Sequence, residues 1–197
     1  MSPATAQKRL VRRRGMVIAG VVILIVLGVT LYLPEEYHFG TAITVSRTPQ
    51  RVWAWFVDPT HWTQRFPMIQ SMEGGSTLMT SVGTQRRVSV QIPGGNTLTS
   101  EIRVTEFTAG RLYADRHLED WLDGRPLPIT NVSDRLEFDP DGQGRTRITF
   151  TGAFEVTGLL DRWLAYFALK PMVDRVIARM LAEAAHSMEK EHPSPAT

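Results

Sequence analysis

Short apolar segments separated by turn-forming residues occupy the middle of the chain, from residue 69 to residue 156. The turn signals are clusters of glycine, proline, asparagine and aspartate: Gly74-Gly75, Pro93-Gly94-Gly95-Asn96, Ala109-Gly110 and Asp139-Pro140-Asp141-Gly142. Short turns of this kind join strands as hairpins, whose strands pair antiparallel. The pattern therefore predicts an antiparallel sheet, with one longer, proline-containing loop at residues 120–132.

A long amphipathic helix follows the strands. Its apolar side chains recur at helical spacing and form one stripe: Val173, Val176, Ile177, Met180, Leu181, Ala184 and Met188. Pro171, near its start, predicts a kink or a restart of the helix. The stripe must be buried against a large apolar surface, and the sheet is the partner that the sequence offers. We therefore expect an α+β fold with the helix packed on the sheet.

A strand and two short helices precede the sheet. Residues 41–47 alternate around apolar positions and predict the strand. Pro49 suits the first position of a helix, and Pro59 marks its end. A second short helix, carrying Trp62 and Phe66, is predicted next.

The N-terminal part of the chain contains a long uncharged segment, MVIAGVVILIVLGVTLYL, at residues 16–33. As a helix it would be about 27 Å long, close to the thickness of the bilayer hydrocarbon. Basic residues precede it and Glu35 and Glu36 follow it, so the positive-inside rule keeps the N-terminus in the cytoplasm. We expect an uncleaved transmembrane signal anchor. A cleaved signal peptide is the alternative, although the bulky end of the segment does not resemble a cleavage site.

This interpretation divides the chain into four parts. Residues 1–15 form a basic cytoplasmic arm, residues 16–33 the anchor, residues 37–191 an extracytoplasmic domain and residues 192–197 a disordered tail. The formal net charge is +2, and the arm supplies the excess of basic residues. The remainder is mildly acidic, which argues against a nucleic-acid partner. The sequence does not predict the oligomeric state.

The chain also resembles a known superfamily. The stretch TPQRVWAWFVDPTHWTQRFPMI, the hairpins, GQGRTRITF before the last strand and the terminal helix ending at HSMEKE are similar to the START-like or SRPBCC superfamily. This group includes Bet v 1-like proteins, polyketide cyclase/aromatase-like proteins and lipid-transfer domains. The resemblance implies a helix-grip fold, in which a seven-stranded antiparallel sheet curls around the C-terminal helix and leaves a cavity. The anchor lies outside the usual pattern, so the resemblance implies a membrane-tethered version.

Hairpin registers assign one face of the sheet to this cavity. Counting from the turns places the even-numbered residues on the apolar face. The odd-numbered face is expected to be solvated, because it carries Arg103, Asp115, His117, Arg135, Glu137 and Arg147. Two members of this face do not suit an ordinary core, Arg116 and Asp134, and we expect them opposite one another, next to Ile102 and Phe150.

The expected pair of Arg116 and Asp134 has two interpretations. A buried arginine is costly unless it is paired, so the two residues form a structural salt bridge. Alternatively, they present hydrogen-bonding groups to a carboxylate or hydroxyl of an otherwise apolar ligand. The other ligand-binding candidates come from the same face, the second short helix, the long loop and the terminal helix: Ser100, Ile102, Phe150, Trp62, Phe66, Trp121 and Met180.

The sequence contains no recognisable catalytic or metal-binding motif. The five histidines are scattered, without a pair at helix spacing and without an adjacent carboxylate cluster, which argues against a metal site. Cysteine is absent, which excludes disulfides and thiolate chemistry. Nucleophile elbows and phosphate-binding loops are also missing. We therefore expect no cofactor and no metal.

Together these features predict a membrane-anchored domain that binds a lipid or another hydrophobic small molecule. One alternative is a polyketide cyclase/aromatase-like enzyme that uses the same cavity. Another is a non-catalytic scaffold whose cavity is collapsed by its own side chains. Residues 158–170 are rich in aromatic and leucine side chains, most of which are expected to pack on the sheet or to cover the open end of the cavity. Contact of part of this surface with lipid is a further hypothesis.

Overall fold

The structure is a computed structural model that describes residues 20–21, 24, 28–58, 61–62, 68–74, 81–92 and 94–190. The chain divides into two compact units, Met1–Glu35 and Glu36–Thr197. The predicted arm, much of the predicted anchor and the predicted tail lie outside the described residues. Within the described part of the chain, no helix is long and apolar enough to cross a membrane.

An antiparallel sheet forms most of the second unit. Its strands are β1 (Glu36–Val45), β2 (Ile69–Glu73), β3 (Gln85–Gln91), β4 (Thr97–Thr108), β5 (Leu112–Leu122), β6 (Arg125–Pro126), β7 (Thr130–Pro140) and β8 (Thr146–Glu155). The order across the sheet is β1-β8-β7-β5-β4-β3-β2, and the short β6 pairs with β5. The predicted antiparallel sheet is confirmed.

Helices and a π-helical segment accompany the sheet. They include α1 (Pro49–Val57), α2 (Leu159–Leu164), the π-helical segment (Ala165–Leu169) and α3 (Lys170–Lys190). Pro171 has no amide hydrogen, and its ring would clash with the carbonyl of residue 167 in a regular α-helix. The wider π turn directly before Pro171 accommodates both effects.

Helix α3 covers the sheet and buries the predicted stripe. Ile177, Leu181, Ala184 and Met188 are buried in the core together with side chains of the strands. Helix α1 packs at one end of the sheet, where the Trp53 ring makes edge-on contacts with aromatic side chains of β4 and β7. The antiparallel sheet and the long C-terminal helix confirm the α+β fold and its helix-grip arrangement.

The connection between β5 and β7 differs from the predicted long loop. Strand β5 continues to Leu122, and a two-residue turn at Asp123 and Gly124 leads into β6. Both turn residues have positive φ angles, 49° and 75°. This is the conformation of a type I′ hairpin turn, for which Asp-Gly is a strong sequence signal. The prediction of a loop over residues 120–132 was therefore wrong.

Because α3 holds the sheet through its buried stripe, Leu181→Ala should lower the free energy of unfolding by about 2–5 kcal/mol. The Leu181 side chain is only 1% exposed. The same change at Leu160, which is 84% exposed, is the matched control and should have an effect within about 0.5 kcal/mol. Chemical denaturation of both variants measures the difference, and equal losses would contradict the packing described here.

Candidate functional site

An irregularity near the turn between β4 and β5 changes the pairing of these strands. Glu106 pairs with Ala114, but the next partners are Val104 and Asp115. Thr105 is therefore an extra residue on β4, which makes a β-bulge. Side chains alternate between the two faces of a sheet. One extra residue on β4 therefore changes which residues of β5, the odd-numbered or the even-numbered, share a face with the even-numbered residues of β4.

A second bulge lies further along the same pair of strands. Ile102 pairs with His117, whereas Glu101 pairs with Glu119, so Leu118 is an extra residue on β5. Between the two bulges, odd-numbered residues of β5 lie opposite even-numbered residues of β4. The even-numbered face of β4 is therefore continued by odd-numbered residues of β5.

Asp115 and His117 consequently face the cavity, and Arg116 faces away from it. Arg116 is exposed, and its guanidinium donates a hydrogen bond to Asn131 Oδ1. Asp115 is the residue of β5 that lies opposite Asp134 of β7 in the register of the two strands. The predicted pair of Arg116 and Asp134 is wrong, and so is the prediction that Asp115 and His117 are solvated. The physical reason is the Thr105 bulge.

His117 is the centre of a polar cluster in which Asp115 and Ser100 are buried and His117, Asp120 and Asp134 are partly buried. Its Nδ1 lies 2.8 Å from Asp120 Oδ1, its Nε2 lies 3.3 Å from Asp134 Oδ2, and the same Nε2 lies 4.0 Å from Asp115 Oδ1. The Ser100 hydroxyl donates a second hydrogen bond to Asp120 Oδ1. Since an ionised carboxylate only accepts hydrogen bonds, Nδ1 of His117 is the donor to Asp120.

The cluster shifts the pKa of two of its members. Burial by itself lowers the pKa of His117, but hydrogen bonds to Asp120 and Asp134 outweigh burial and raise the pKa to about 10. Burial, followed by repulsion from Asp134, raises the pKa of Asp115 to about 7. The folded protein therefore favours protons on both groups.

Three polar atoms of this region have no hydrogen-bond partner of acceptable geometry among the described residues. They are Asp115 Oδ1, Asp134 Oδ1 and the Tyr113 hydroxyl, and all three are buried. Tyr113 and Asp115 nevertheless lie close enough for a hydrogen-bonding interaction that affects the pKa of both. Burial, together with the nearby charge of Asp115, also raises the pKa of Tyr113. Buried polar atoms are normally paired, so unpaired ones in a cavity wall indicate a place where a bound molecule supplies the partner.

Two adjoining apolar chambers lie between the sheet and α3. The first has a volume of about 170 Å³, and its wall includes Tyr113, Asp115 and Asp134. The second has a volume of about 220 Å³, and its wall includes His117 and Asp120. Both chambers are lined mainly by aliphatic and aromatic side chains. Val90, Asp134 and Met180 line both chambers.

Five of the predicted ligand-binding residues are brought together by the fold. Trp62, Ile102, Asp134, Phe150 and Met180 all line the first chamber. Trp62 is fixed there by a hydrogen bond of 2.8 Å from its ring nitrogen to the carbonyl of residue 56. Their role in binding a ligand stays a prediction.

The other predicted residues lie elsewhere. Ser100 is buried and does not line the cavity itself. Its hydroxyl donates a hydrogen bond to Asp120, which does line the cavity. Trp121 is a strand residue on the opposite face, with the Arg87 guanidinium 5.8 Å from its ring centroid. The prediction that Trp121 belongs to a loop beside the cavity was therefore wrong. Phe66 lies outside the described residues.

Sequence reasoning also missed a buried arginine. Arg86 on β3 is 4% exposed, and its Nη1 donates to Met72 Sδ over 3.6 Å. Burial lowers its pKa. The signal was present, because Arg86 lies in phase with Val88 and Val90 on the same face of the strand.

The expectation that no histidine lies beside a carboxylate cluster is also wrong. Asp115, His117 and Asp134 each offer a donor atom, and these atoms lie within 4.8 Å of one another. Asp115, His117 and Asp120 are close in sequence, but their convergence depends on the bulges. Imidazole and carboxylate groups are ligands for divalent metals, so these residues could hold a cation.

An antiparallel sheet that holds a cavity against its C-terminal helix defines the helix-grip class of domains. Residues 37–189 match the model of a family described as polyketide cyclase / dehydrase and lipid transport. The chain belongs to this family. No curated protein matches the sequence significantly.

Solved structures give the same fold. The Zhui aromatase/cyclase from a Streptomyces species is 19% identical, with a TM-score of 0.64 over 82% of this chain and 99% of that chain. Norcoclaurine synthase from Thalictrum flavum, in complex with dopamine and hydroxybenzaldehyde, is 13% identical, with a TM-score of 0.60 over 81% and 90%. A Thermus thermophilus protein is 14% identical, with a TM-score of 0.61 over 77% and 97%. At these identities the similarity establishes the fold alone.

The polar cluster makes stability depend on pH. His117 has a pKa of about 10 in the folded protein, against about 6.5 in an unfolded chain. Its stabilising contribution is complete below the unfolded value and is lost as the pH rises through the folded value. The free energy of unfolding, measured by urea denaturation with a chelator present, should therefore fall between about pH 6.5 and pH 10. Asp115, whose pKa is about 7, adds a loss in the same direction between about pH 4 and pH 7.

His117→Gln removes the titrating group. The free energy of unfolding of this variant should therefore change less between pH 6.5 and pH 10 than that of the unmodified protein. The control is His38→Gln, because His38 lies on the surface beside Glu36. This control should keep the slope of the unmodified protein. If the free energy of unfolding of His117→Gln depends on pH as strongly as that of the unmodified protein, the titration does not belong to His117.

Proposed function

We propose that this protein binds a hydrophobic small molecule between the sheet and α3, and that it does so at the surface of a membrane. The observation that carries the first part is the pair of adjoining apolar chambers, which share Val90, Asp134 and Met180 in their walls. Apolar walls with a few polar groups are typical of small-molecule sites. The family, which includes lipid transport in its description, supports the same class of ligand.

The polar atoms of the wall indicate which kind of hydrophobic molecule fits. Asp134 Oδ1 is a buried acceptor with no hydrogen-bond partner among the described residues. A ligand with a hydroxyl or amino group on an apolar body would supply a donor and remove the cost of leaving this atom unpaired. The carboxylate ligand considered from the sequence is less suitable, because Arg116 is on the outer face.

A neutral apolar dye, N-phenyl-1-naphthylamine, tests the binding site without knowledge of the natural ligand. Val90→Phe adds volume where the chambers adjoin, so it should weaken dye binding by about tenfold or more, which corresponds to about 1.4 kcal/mol. Val82→Phe makes the same change at an exposed residue and should leave the affinity unchanged. Dye fluorescence measures both affinities. Equal binding by the two variants would contradict the proposal, provided that circular dichroism finds both folded.

The proposed membrane location rests on the sequence of residues 16–33 and on an apolar surface of the domain. This surface, called the apolar patch below, consists of exposed side chains of α2 and the π-helical segment: Leu159, Leu160, Leu164, Tyr166 and Phe167. Trp163 stacks on Phe167 with ring centroids 5.2 Å apart. Large exposed apolar patches usually mark a contact with protein or lipid, and tryptophan and tyrosine suit the bilayer interface.

The position of the apolar patch in the domain supports a lipid contact. The Tyr37 hydroxyl donates a hydrogen bond of 2.9 Å to the carbonyl of Arg162, so the start of β1 lies beside α2. Strand β1 begins at Glu36, and only Pro34 and Glu35 separate it from the segment that we propose as an anchor. An anchored domain would therefore meet the bilayer at the end that carries the apolar patch. We propose that the domain lies on the extracytoplasmic side of the membrane.

Lipid contact can be measured with the full chain in vesicles whose phospholipids carry brominated acyl chains, which quench tryptophan fluorescence at short range. Trp163→Phe should remove a quenched component of the emission, because Trp163 belongs to the helix of the apolar patch. Trp121→Phe is the matched control on the outer face of β5 and should not remove it. If Trp163→Phe leaves the quenching unchanged, the apolar patch does not meet the bilayer.

A second candidate function is an enzyme that acts on the molecule held in the cavity. The specific observation in its favour is a set of proton-transferring groups in the chamber walls, namely Tyr113, Asp115 and His117. The pKa of Asp115, about 7, suits a general acid or base near neutral pH. The binding site is common to both candidates, and the enzyme adds a reaction to it.

A further inference from the structure

We propose that Asp115, His117 and Asp134 form a binding site for a divalent transition-metal ion in the wall of the cavity. The site is defined by the geometry of the three side chains and does not depend on the identity of the hydrophobic ligand. Asp120 and Ser100 are positioning residues in this proposal.

The three donor atoms all lie within 4.8 Å of one another. A four-coordinate zinc ion with bonds of about 2.0–2.1 Å separates neighbouring donor atoms by about 3.3–3.4 Å. His117 Nε2 and Asp134 Oδ2 are 3.3 Å apart, and His117 Nε2 and Asp115 Oδ1 are 4.0 Å apart. Rotations of the Asp115 and Asp134 side chains that shorten the longer separations would close the set around one ion.

The histidine is oriented as a metal ligand requires. Its Nδ1 donates to Asp120 over 2.8 Å, and Asp120 also accepts a hydrogen bond from the Ser100 hydroxyl. Such a carboxylate fixes the ring and its tautomer and makes the other nitrogen a better ligand. That nitrogen, Nε2, is the atom directed at Asp134 and Asp115.

A second, independent observation comes from the carboxylates. Asp115 is only 6% exposed, and its Oδ1 has no hydrogen-bond partner of acceptable geometry in the described part of the chain. A buried carboxylate oxygen without a partner is costly, and a cation is the partner that suits three neighbouring carboxylates best.

The donor set indicates the class of metal. One imidazole nitrogen and two carboxylate oxygens suit zinc, manganese, iron or cobalt in the divalent state, and the chain has no cysteine to favour softer ions. Three protein ligands leave at least one coordination position free. Asp115 and Asp134 line the first chamber, so this position would be available to an oxygen atom of a bound molecule.

Cobalt(II) is a suitable probe, because its visible absorption reports coordination by the protein. The untagged full chain in detergent, stripped of metal with a chelator, should bind one Co²⁺ per chain with saturable absorption, and Zn²⁺ should abolish that absorption. His117→Gln, Asp115→Asn and Asp134→Asn should each weaken binding by at least about tenfold. Asp120→Asn should weaken it by about 10–100-fold while circular dichroism remains unchanged.

His38→Gln is the matched control, because His38 Nε2 lies 3.5 Å from a single carboxylate, Glu36, on the surface. This variant should bind Co²⁺ like the unmodified protein. Absence of saturable absorption in the unmodified protein overturns the proposal, whatever the variants do. Full binding by folded Asp115→Asn and Asp134→Asn would also overturn it. Dye binding, measured separately, distinguishes a failed metal site from a failed hydrophobic site.

Discussion

The register of β5 against β4 is the constraint on which the rest of the site depends. Side chains alternate along a strand, so the extra residue Thr105 decides which residues of β5 face α3. With the bulge, Asp115 and His117 face the cavity and Arg116 faces solvent. The bulge at Leu118 then brings Asp120 to the same side as His117. Two exposed extra residues thus assemble an acidic cluster in an otherwise apolar interior.

The energetic problem of this interior is its concentration of carboxylates. Asp115, Asp120 and Asp134 surround one imidazole, and Asp115 pairs directly with Asp134 across β5 and β7. His117 satisfies part of this charge, and the raised pKa of Asp115 removes another part by favouring its protonated form. Asp115 Oδ1 and Asp134 Oδ1 remain without a hydrogen-bond partner of acceptable geometry in the part of the chain that the structure describes. Natural proteins seldom leave such atoms buried without a function, which is why the cluster is the best candidate for ligand or metal recognition.

The sequence predicted the architecture well and the site only in part. Turn residues and alternation located the strands, and helical spacing located the stripe of α3, because these patterns are local. Ile102, Asp134 and Phe150 were assigned to the correct face, since their strands keep the expected alternation there. Arg116 was misplaced because the bulge at Thr105 leaves no distinctive residue in the sequence. The Asp123-Gly124 dipeptide is a sequence signal for a hairpin turn. Because it was not used, Trp121 was placed in a loop and not on a strand.

The central claim is that the space between the sheet and α3 holds a hydrophobic molecule. Native mass spectrometry of the full chain, purified in mild detergent from the cells that produce it, tests this claim most directly. The account predicts one small hydrophobic molecule per folded chain, released when the chain unfolds. If every preparation, including those incubated with a total lipid extract, gives only the mass of the protein without a bound molecule, the claim is contradicted.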